Sequence, residues 1–153
     1  MNKILIILLI SVSSYSQVSF YFPLGTHHFA RDYAWRYADN EGGDKGLIIS
    51  YERKHLIASV GFIRNSFGDS SRLFTVGLKK DYNKFDVSIS TGLSDGYERF
   101  YYFYPDEEYP KFFKDNNILP IALITTRVKV YKNMGIQVNI SPAYINYGIF
   151  IKI

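Results

Sequence analysis

Apolar and polar residues alternate along most of this sequence, most clearly in the segment 56–80, LIASVGFIRNSFGDSSRLFTVGLKK. Most even positions of its two arms are apolar, whereas serine, threonine and glycine recur at odd positions. A period of two places alternate side chains on opposite faces of a β-strand. The segment therefore predicts two strands, 56–64 and 72–80, joined by the polar loop 65–71.

The same alternation recurs along the chain and predicts eight strands in all. The predicted strands are 18–26, 46–52, 56–64, 72–80, 85–93, 118–128, 134–141 and 144–153. Long connections (27–45, 65–71, 94–117) alternate with short ones (53–55, 81–84, 129–133). An even number of strands with this alternation is typical of outer-membrane barrels, whose short turns face the periplasm.

The predicted fold is therefore all-β: an eight-stranded antiparallel transmembrane β-barrel with long outer loops and short periplasmic turns. A soluble lipocalin-like barrel of eight strands is the alternative, and it would face its apolar residues inward. The two folds differ in which face of each strand contacts solvent or lipid.

The first sixteen residues have the composition of a signal peptide. Lys3 supplies a basic start, Ile4–Ile10 an apolar run, and Ser14–Ser16 a small-residue cleavage signal. The run is too short to cross a bilayer as a helix, which needs about 20 residues. We expect residues 1–16 to be removed and 17–153 to form a single β-barrel domain. Export without any cysteine excludes stabilisation by disulfides.

The composition favours a membrane location. Aromatic residues make up 18% of the chain, and outer-membrane barrels concentrate such residues in girdles at both membrane interfaces. The formal net charge of +4 suits anionic lipid headgroups. We therefore expect the outer membrane as the location of this protein. The chain has no basic helix or nucleic-acid motif, so we expect no nucleic-acid partner.

Several motifs occur in an order that resembles the PagP family of outer-membrane lipid A palmitoyltransferases, including its phage-encoded relatives. The resemblance covers most of the mature chain at low identity. The motifs are YFPLGTHH (21–28), an acidic and aromatic first loop, GFIRNSFG (61–68), Gly77, LPIAL (119–123) and ISPA (140–143).

The resemblance implies catalytic roles at the outer rim for His28, Asn65 and Ser66. Asn65 stands where the family has aspartate, so it could orient the imidazole only through its amide oxygen, as in Cys-His-Asn proteases. Asp69 lies in the same loop and is an alternative source of the missing carboxylate.

Three prolines and one glycine also match family positions. The resemblance implies that Pro23, Pro120 and Pro142 open lateral gaps for lipids, because proline lacks the N–H that a strand ladder needs. It implies that Gly77 lies on the floor of the acyl-chain site and sets the chain length.

The implied function is acyl transfer from a phospholipid donor to lipid A or a similar glycolipid, by a monomer without a cofactor. The alternative is a non-catalytic PagP-like barrel that acts as a surface or interaction protein. A metal site is not predicted, because the topology puts His55 at the opposite end from His27 and His28. Arg31, Arg64 and Arg72 could hold lipid phosphates or extend along the bilayer edge.

Overall fold

The computed structural model describes residues 16–29, 45–65, 67–103 and 109–153. Residues 1–15 of the predicted signal peptide, Arg31 and Ser66 lie outside these residues. The described elements are β1 (Ser16–His28), β2 (Gly46–Arg53), β3 (Leu56–Arg64), β4 (Ser70–Asp81), β5 (Phe85–Ser94), α1 (Glu98–Phe103), α2 (Lys111–Asp115), β6 (Leu119–Tyr131), β7 (Met134–Ile140) and β8 (Tyr144–Lys152).

The eight strands form one closed antiparallel barrel. Each strand pairs with its neighbours in sequence, and β1 pairs with β8 to complete the circle. The predicted fold and strand order are confirmed. The largest difference in length is in β1, which runs from Ser16 to His28 instead of from 18 to 26.

The connections lie at two ends of the barrel, here called the loop end and the turn end. The turn end carries the short connections 54–55, 82–84 and 132–133. The loop end carries 29–45, 65–69, 95–118 and 141–143, of which the last is short. The predicted difference between long loops and short turns is confirmed for the first six connections.

The barrel is apolar on the outside and polar on the inside. Val60 and Ile89 point outward and are 53% and 62% exposed, whereas their neighbours Ser59 and Ser90 are buried in the interior. A soluble barrel has the reverse arrangement, because its apolar side chains fill the interior. The arrangement is that of a transmembrane β-barrel, in which lipid covers the apolar band.

Aromatic side chains mark the turn end of the apolar band. Tyr82 stacks on Phe85 with ring centroids 4.5 Å apart, and Lys80 lies over the Tyr82 ring at 5.4 Å. Lys132 lies over Tyr131 in the same way, at 5.2 Å. Aromatic rings with cations beside them are suited to the boundary between acyl chains and headgroups.

A cluster of buried ionic side chains fills the interior near the turn end. This charge cluster consists of Glu52, Lys79, Asp86, Arg127 and Lys152, all of them buried. Arg127 joins both carboxylates, Glu52 and Asp86. Lys79 and Lys152 also reach Glu52, at 2.6 and 3.2 Å. Buried charges are stable in a low-dielectric interior only when they are paired in this way.

An aromatic cap lies over the loop end. It consists of Phe67, Tyr97, Phe100, Tyr101 and Tyr109, with Phe67 and Phe100 buried at its centre. The Phe100 ring of α1 packs edge-on against Phe67 of the loop 65–69, at 6.1 Å between centroids.

No helix among the described residues is both long and apolar enough to cross a membrane.

Candidate functional site

His28 is the last residue of β1 and lies at the loop end of the barrel. It pairs with Tyr144, the first residue of β8, and is only 3% exposed. The two rings meet edge-on, with centroids 6.1 Å apart. The preceding residue, His27, is exposed, because adjacent strand residues face opposite sides of the wall. The structure therefore buries His28, the histidine predicted to be catalytic.

A cavity of about 340 Å³ lies beside His28. Its wall includes His28, Phe67, Phe100, Pro120, Pro142 and Tyr144. It thus joins the predicted histidine, two of the three predicted prolines and the centre of the aromatic cap. Cavities of this size and largely apolar character are suited to part of a lipid or another small apolar molecule.

This cavity coincides with an opening in the barrel wall between β6 and β7. The two strands pair from Ile124–Ile140 towards the turn end, whereas the first residues of β6, from Leu119, pair with β5. Pro120 lies in this part of β6, and Pro142 follows β7 directly. Neither residue has an N–H with which to continue the ladder.

The cavity continues to the outer, membrane-facing side of the wall. Thr91 and Ala122 belong to its lining, and both are exposed on the outer face. They pair with each other across β5 and β6. A small side chain at each position leaves a shallow depression between larger outward residues, and this depression leads towards His28.

Pro23 lies at a different seam, between β1 and β2. These strands pair up to Tyr21–Ile48, although β1 continues to His28. On its other side Pro23 pairs with Gly148, and the register with β8 shifts between Pro23 and Gly25. Pro23 lines a separate interior cavity of about 60 Å³. Of the three predicted prolines, Pro120 and Pro142 therefore lie at the β6–β7 opening, whereas Pro23 lies at the seam between β1 and β2.

Asn65 holds the loop 65–69 in place. Its Oδ1 accepts hydrogen bonds from the backbone N–H groups of Phe67 and Asp69, both at 3.0 Å. Its Nδ2 donates to Ser71 Oγ at 2.9 Å and to the Gly96 carbonyl at 2.7 Å. An asparagine side chain has two donor hydrogens and two acceptor lone pairs. All four are used here within the loop and its neighbours.

Asp69 forms an ion pair with Arg99 of α1, with 3.3 Å between Oδ1 and Nε. Arg99 also donates to the Phe67 carbonyl, at 2.6 Å. From the other side of the loop, Arg64 donates to the Gly68 carbonyl at 3.0 Å. The carboxylate considered as a substitute for the family aspartate is thus part of the contact between the loop 65–69 and α1.

Gly77 faces the interior of β4 and pairs with Ile57 and Ser90. A side chain here would meet the Ile89 carbonyl and would lie 2.6 Å from the Ser90 Cβ. The close approach of β5 therefore requires glycine at this position. Gly77 and Lys79 are two residues apart and both point inward, because alternate residues of a strand share a face. Gly77 therefore lies next to the charge cluster on the inward face of β4.

Arg72 and Asp95 form an ion pair on the loop-end rim. Arg72 Nε and its backbone N–H both donate to the Asp95 carboxylate, at 2.7 Å. Burial alone would raise the pKa of Asp95, but the bonds from Arg72 outweigh it and lower the pKa below its usual range. Arg72, one of the arginines that could hold a lipid phosphate, therefore already has an anionic partner.

The sequence analysis missed Phe67, Arg99 and Tyr144, which surround the site. Phe67 lies within the motif at 61–68, and Arg99 lies in the aromatic part of the connection 94–117. The contact between Arg99 and the Phe67 carbonyl, however, depends on how the long connection 95–118 folds onto the loop 65–69. Tyr144 was assigned only to a strand, and its contact with His28 follows from barrel closure.

Among the residues that the structure describes, no three His, Cys, Asp or Glu side chains come together as metal ligands.

No protein-family model matches the sequence, and no curated protein is similar to it. Among solved structures, the chain is similar to a de novo designed transmembrane β-barrel, with 12% identity and a TM-score of 0.58. The match covers 92% of this chain and 98% of the designed one. A protein of unknown function from Clostridium acetobutylicum matches at 9% identity over 92% of this chain and 95% of that one, with a TM-score of 0.18, which is too low to support an argument.

The fold and the similarity together define the class of this protein. It is a closed eight-stranded antiparallel β-barrel of the transmembrane type. At 12% identity the similarity concerns the fold alone.

Proposed function

We propose that this protein is an outer-membrane acyltransferase that moves an acyl chain from a phospholipid to lipid A or a similar glycolipid. The proposal rests on one observation, the position of His28 beside the opening between β6 and β7. The buried His28 shares a cavity with Pro120 and Pro142 at an opening in the membrane-facing wall. A lipid could reach the histidine from the bilayer through this opening without leaving the membrane.

His28 would act as the general base in this reaction. Acyl transfer needs a group that accepts a proton from the attacking hydroxyl and donors that stabilise the oxyanion. Ser66, a functional residue by resemblance to the PagP family, would be the hydroxyl partner of His28 or an oxyanion donor. A site that excludes bulk water would favour transfer to a lipid hydroxyl over hydrolysis.

Asn65 and Asp69 would support the reaction through the loop and not through direct contact with the imidazole. The Asn65 amide oxygen already accepts two backbone hydrogen bonds, and Asp69 pairs with Arg99. We infer that Asn65 holds the backbone on either side of Ser66 in one conformation.

The role of Gly77 in setting chain length remains part of the proposal. The interior cavities between His28 and the charge cluster are small, at about 60 and 30 Å³. An acyl chain that reached Gly77 would have to displace side chains in the barrel interior. A chain confined to the cavity at the β6–β7 opening would be short or would extend along the outer wall.

A non-catalytic barrel that serves as a surface or interaction protein is the second candidate. It is favoured by the ion pair between Asp69 and Arg99, because this pair engages the carboxylate considered as a substitute for the PagP-family aspartate. In this case the cavity would bind lipid without turnover.

Mass spectrometry of lipid A would decide between the two candidates. Cells would express the wild type, His28→Ala, Ser66→Ala or the matched control His27→Ala, in which an exposed neighbouring histidine is removed. We expect a gain of one acyl chain with the wild type and with His27→Ala. The gain should fall by about 10²–10⁴-fold in His28→Ala, the usual effect of removing a general base.

Folding of every variant in the outer membrane would be checked by fractionation and by the heat-dependent gel mobility of barrels. A folded wild type that leaves lipid A unchanged would rule out this transferase and favour the non-catalytic barrel. Equal activity of the wild type and His28→Ala would contradict the role of His28.

A further inference from the structure

A second, smaller cavity lies inside the barrel, between the middle of the strands and the charge cluster. Its volume is about 30 Å³. A space of ~10–15 Å³ accommodates one water molecule, so this cavity has room for one small ion or one or two waters. Its polar wall includes Ser59, Thr75, Ser88, Thr125, Arg127 and Gln137.

Two buried polar atoms of this wall lack hydrogen-bond partners among the described residues. They are Nη2 of Arg127 and Oγ of Ser88. Arg127 is 1% exposed and Ser88 is 3% exposed. The other guanidinium nitrogens are bonded, Nε to Asp86 and Nη1 to Ser19 and Glu52. A buried donor without an acceptor is costly, so these atoms indicate that a further group is bound.

The wall of this cavity is rich in donors and poor in negative charge. Arg127 is the one charged side chain among the described residues that line it, and it is a cation. Ser50 and Ser59 share a single hydrogen bond at 2.8 Å, which leaves one hydroxyl hydrogen available. Thr125 and Gln137 already donate to Asn139 Oδ1, which removes that acceptor from the cavity.

The buried charges next to the cavity carry an excess of one positive charge. Lys79, Arg127 and Lys152 are cationic, whereas Glu52 and Asp86 supply only two carboxylates. Asp81 also reaches Lys79, at 2.9 Å, but its side chain is 51% exposed and therefore largely solvated. A net positive charge on the buried groups favours an anion over a cation in the neighbouring cavity.

We propose that this cavity binds one monovalent anion of halide size, held by Arg127 Nη2 and Ser88 Oγ. Chloride has the required charge and size, and it accepts hydrogen bonds from several donors at once. The anion would complete the charge cluster from the side that faces the middle of the barrel. This site is separate from the cavity at His28, and the proposal is independent of the proposed enzymatic function.

Bromide is the probe that tests the proposal, because its anomalous scattering distinguishes it from water. Crystals of the purified barrel would be transferred to sodium bromide. We expect one anomalous peak within hydrogen-bonding distance of Arg127 Nη2 and Ser88 Oγ. Ordered water at this position without an anomalous signal would overturn the proposal.

Thermal unfolding in detergent supplies a second measurement with matched variants. A ligand that binds only the folded state raises the melting temperature, so the wild type should melt higher in bromide than in gluconate of equal ionic strength. Gluconate is too large for the cavity. Ser88→Val fills the cavity and should abolish this difference. Ser94→Val changes an inward serine of the same strand that does not line this cavity, and it should retain the difference.

Either of two results in these unfolding experiments would also contradict the proposal. Equal melting temperatures of the wild type in both salts would show that no halide binds. A bromide effect of the same size in Ser88→Val would show that the anion binds elsewhere on the protein.

Discussion

Arg127 and Asp86 lie directly opposite each other in the β5–β6 register, and Arg127 Nε donates to Asp86 Oδ1 over 2.7 Å. Both side chains are 1% exposed. The pair links neighbouring strands in the interior, and Arg127 extends the link to Glu52 across the barrel. The charge cluster thus connects β2 with β5 and β6, which are not neighbours of β2.

Removal of one carboxylate from this cluster should destabilise the barrel strongly. Asp86→Ala leaves Arg127 and Lys152 short of a partner, and breaking a buried pair in this way costs about 3–5 kcal/mol. Urea unfolding from lipid vesicles would measure the loss. Asp81→Ala removes a half-exposed carboxylate from the rim of the same cluster and should cost about 1 kcal/mol or less. Equal losses of stability in both variants would show that burial does not determine how much a carboxylate of this cluster contributes.

Replacing Asn65 by aspartate should destabilise the loop 65–69. Asn65→Asp replaces the donor Nδ2 by an oxygen that faces the Gly96 carbonyl and Ser71, and a lost buried hydrogen bond costs about 1–3 kcal/mol. Hydrogen exchange of the Phe67 and Asp69 amides should become faster.

The matched control for this variant is Asn83→Asp, which makes the same change in the exposed turn 82–84. It should leave exchange in the loop 65–69 unchanged. An Asn65→Asp variant with slower exchange at Phe67 would contradict the structural role of Asn65.

The barrel was predictable because a period of two is a local property of the sequence. Residues such as Gln137 and Asn139 alternate with Ile136 and Val138, and this alone assigns the two faces of β7. Charged residues, most clearly Arg127, mark the inward face, so the opposite face is the one that contacts lipid. The strand count and the alternation of loops then determine the closed topology.

The details of the site were less predictable, because they depend on contacts between segments far apart in sequence. The motif at 61–68 indicated a functional role for Asn65. Its partner Gly96 lies 31 residues away, in a connection with no strand pattern. The burial of Phe100 against Phe67 likewise depends on how α1 folds over the barrel. Local periodicity contains no information about such contacts.

The outward apolar band should contact lipid. Ile89→Lys places a charge in the middle of β5 on the outer face, where a lysine at the bilayer midplane costs about 2–4 kcal/mol. We expect a matching loss of stability in vesicles. Tyr131→Lys lies at the turn-end rim and should cost about 0–1 kcal/mol. If Ile89→Lys were as stable as the wild type in vesicles, the apolar band would not be covered by lipid.

The ion pair between Arg72 and Asp95 should make stability at the loop end depend on pH. The folded-state pKa of Asp95 is lowered, against burial, by the bonds from Arg72. An aspartate in the unfolded chain has a pKa of about 3.9. The stabilisation is therefore fully present above this value and is lost as the pH falls through the lower, folded-state pKa.

Asp95→Asn tests this dependence, because it removes the charge and retains an oxygen that can accept the backbone N–H of Arg72. The wild type should melt above Asp95→Asn at pH 6, and the difference should shrink as the pH is lowered below 4. The difference should be modest, because the Arg72 side chain is 79% exposed and solvent screens such pairs. Asp115→Asn, a change at an exposed carboxylate in α2, is the control. A difference between the wild type and Asp95→Asn that grew at low pH would reverse the expected sign and contradict the pairing.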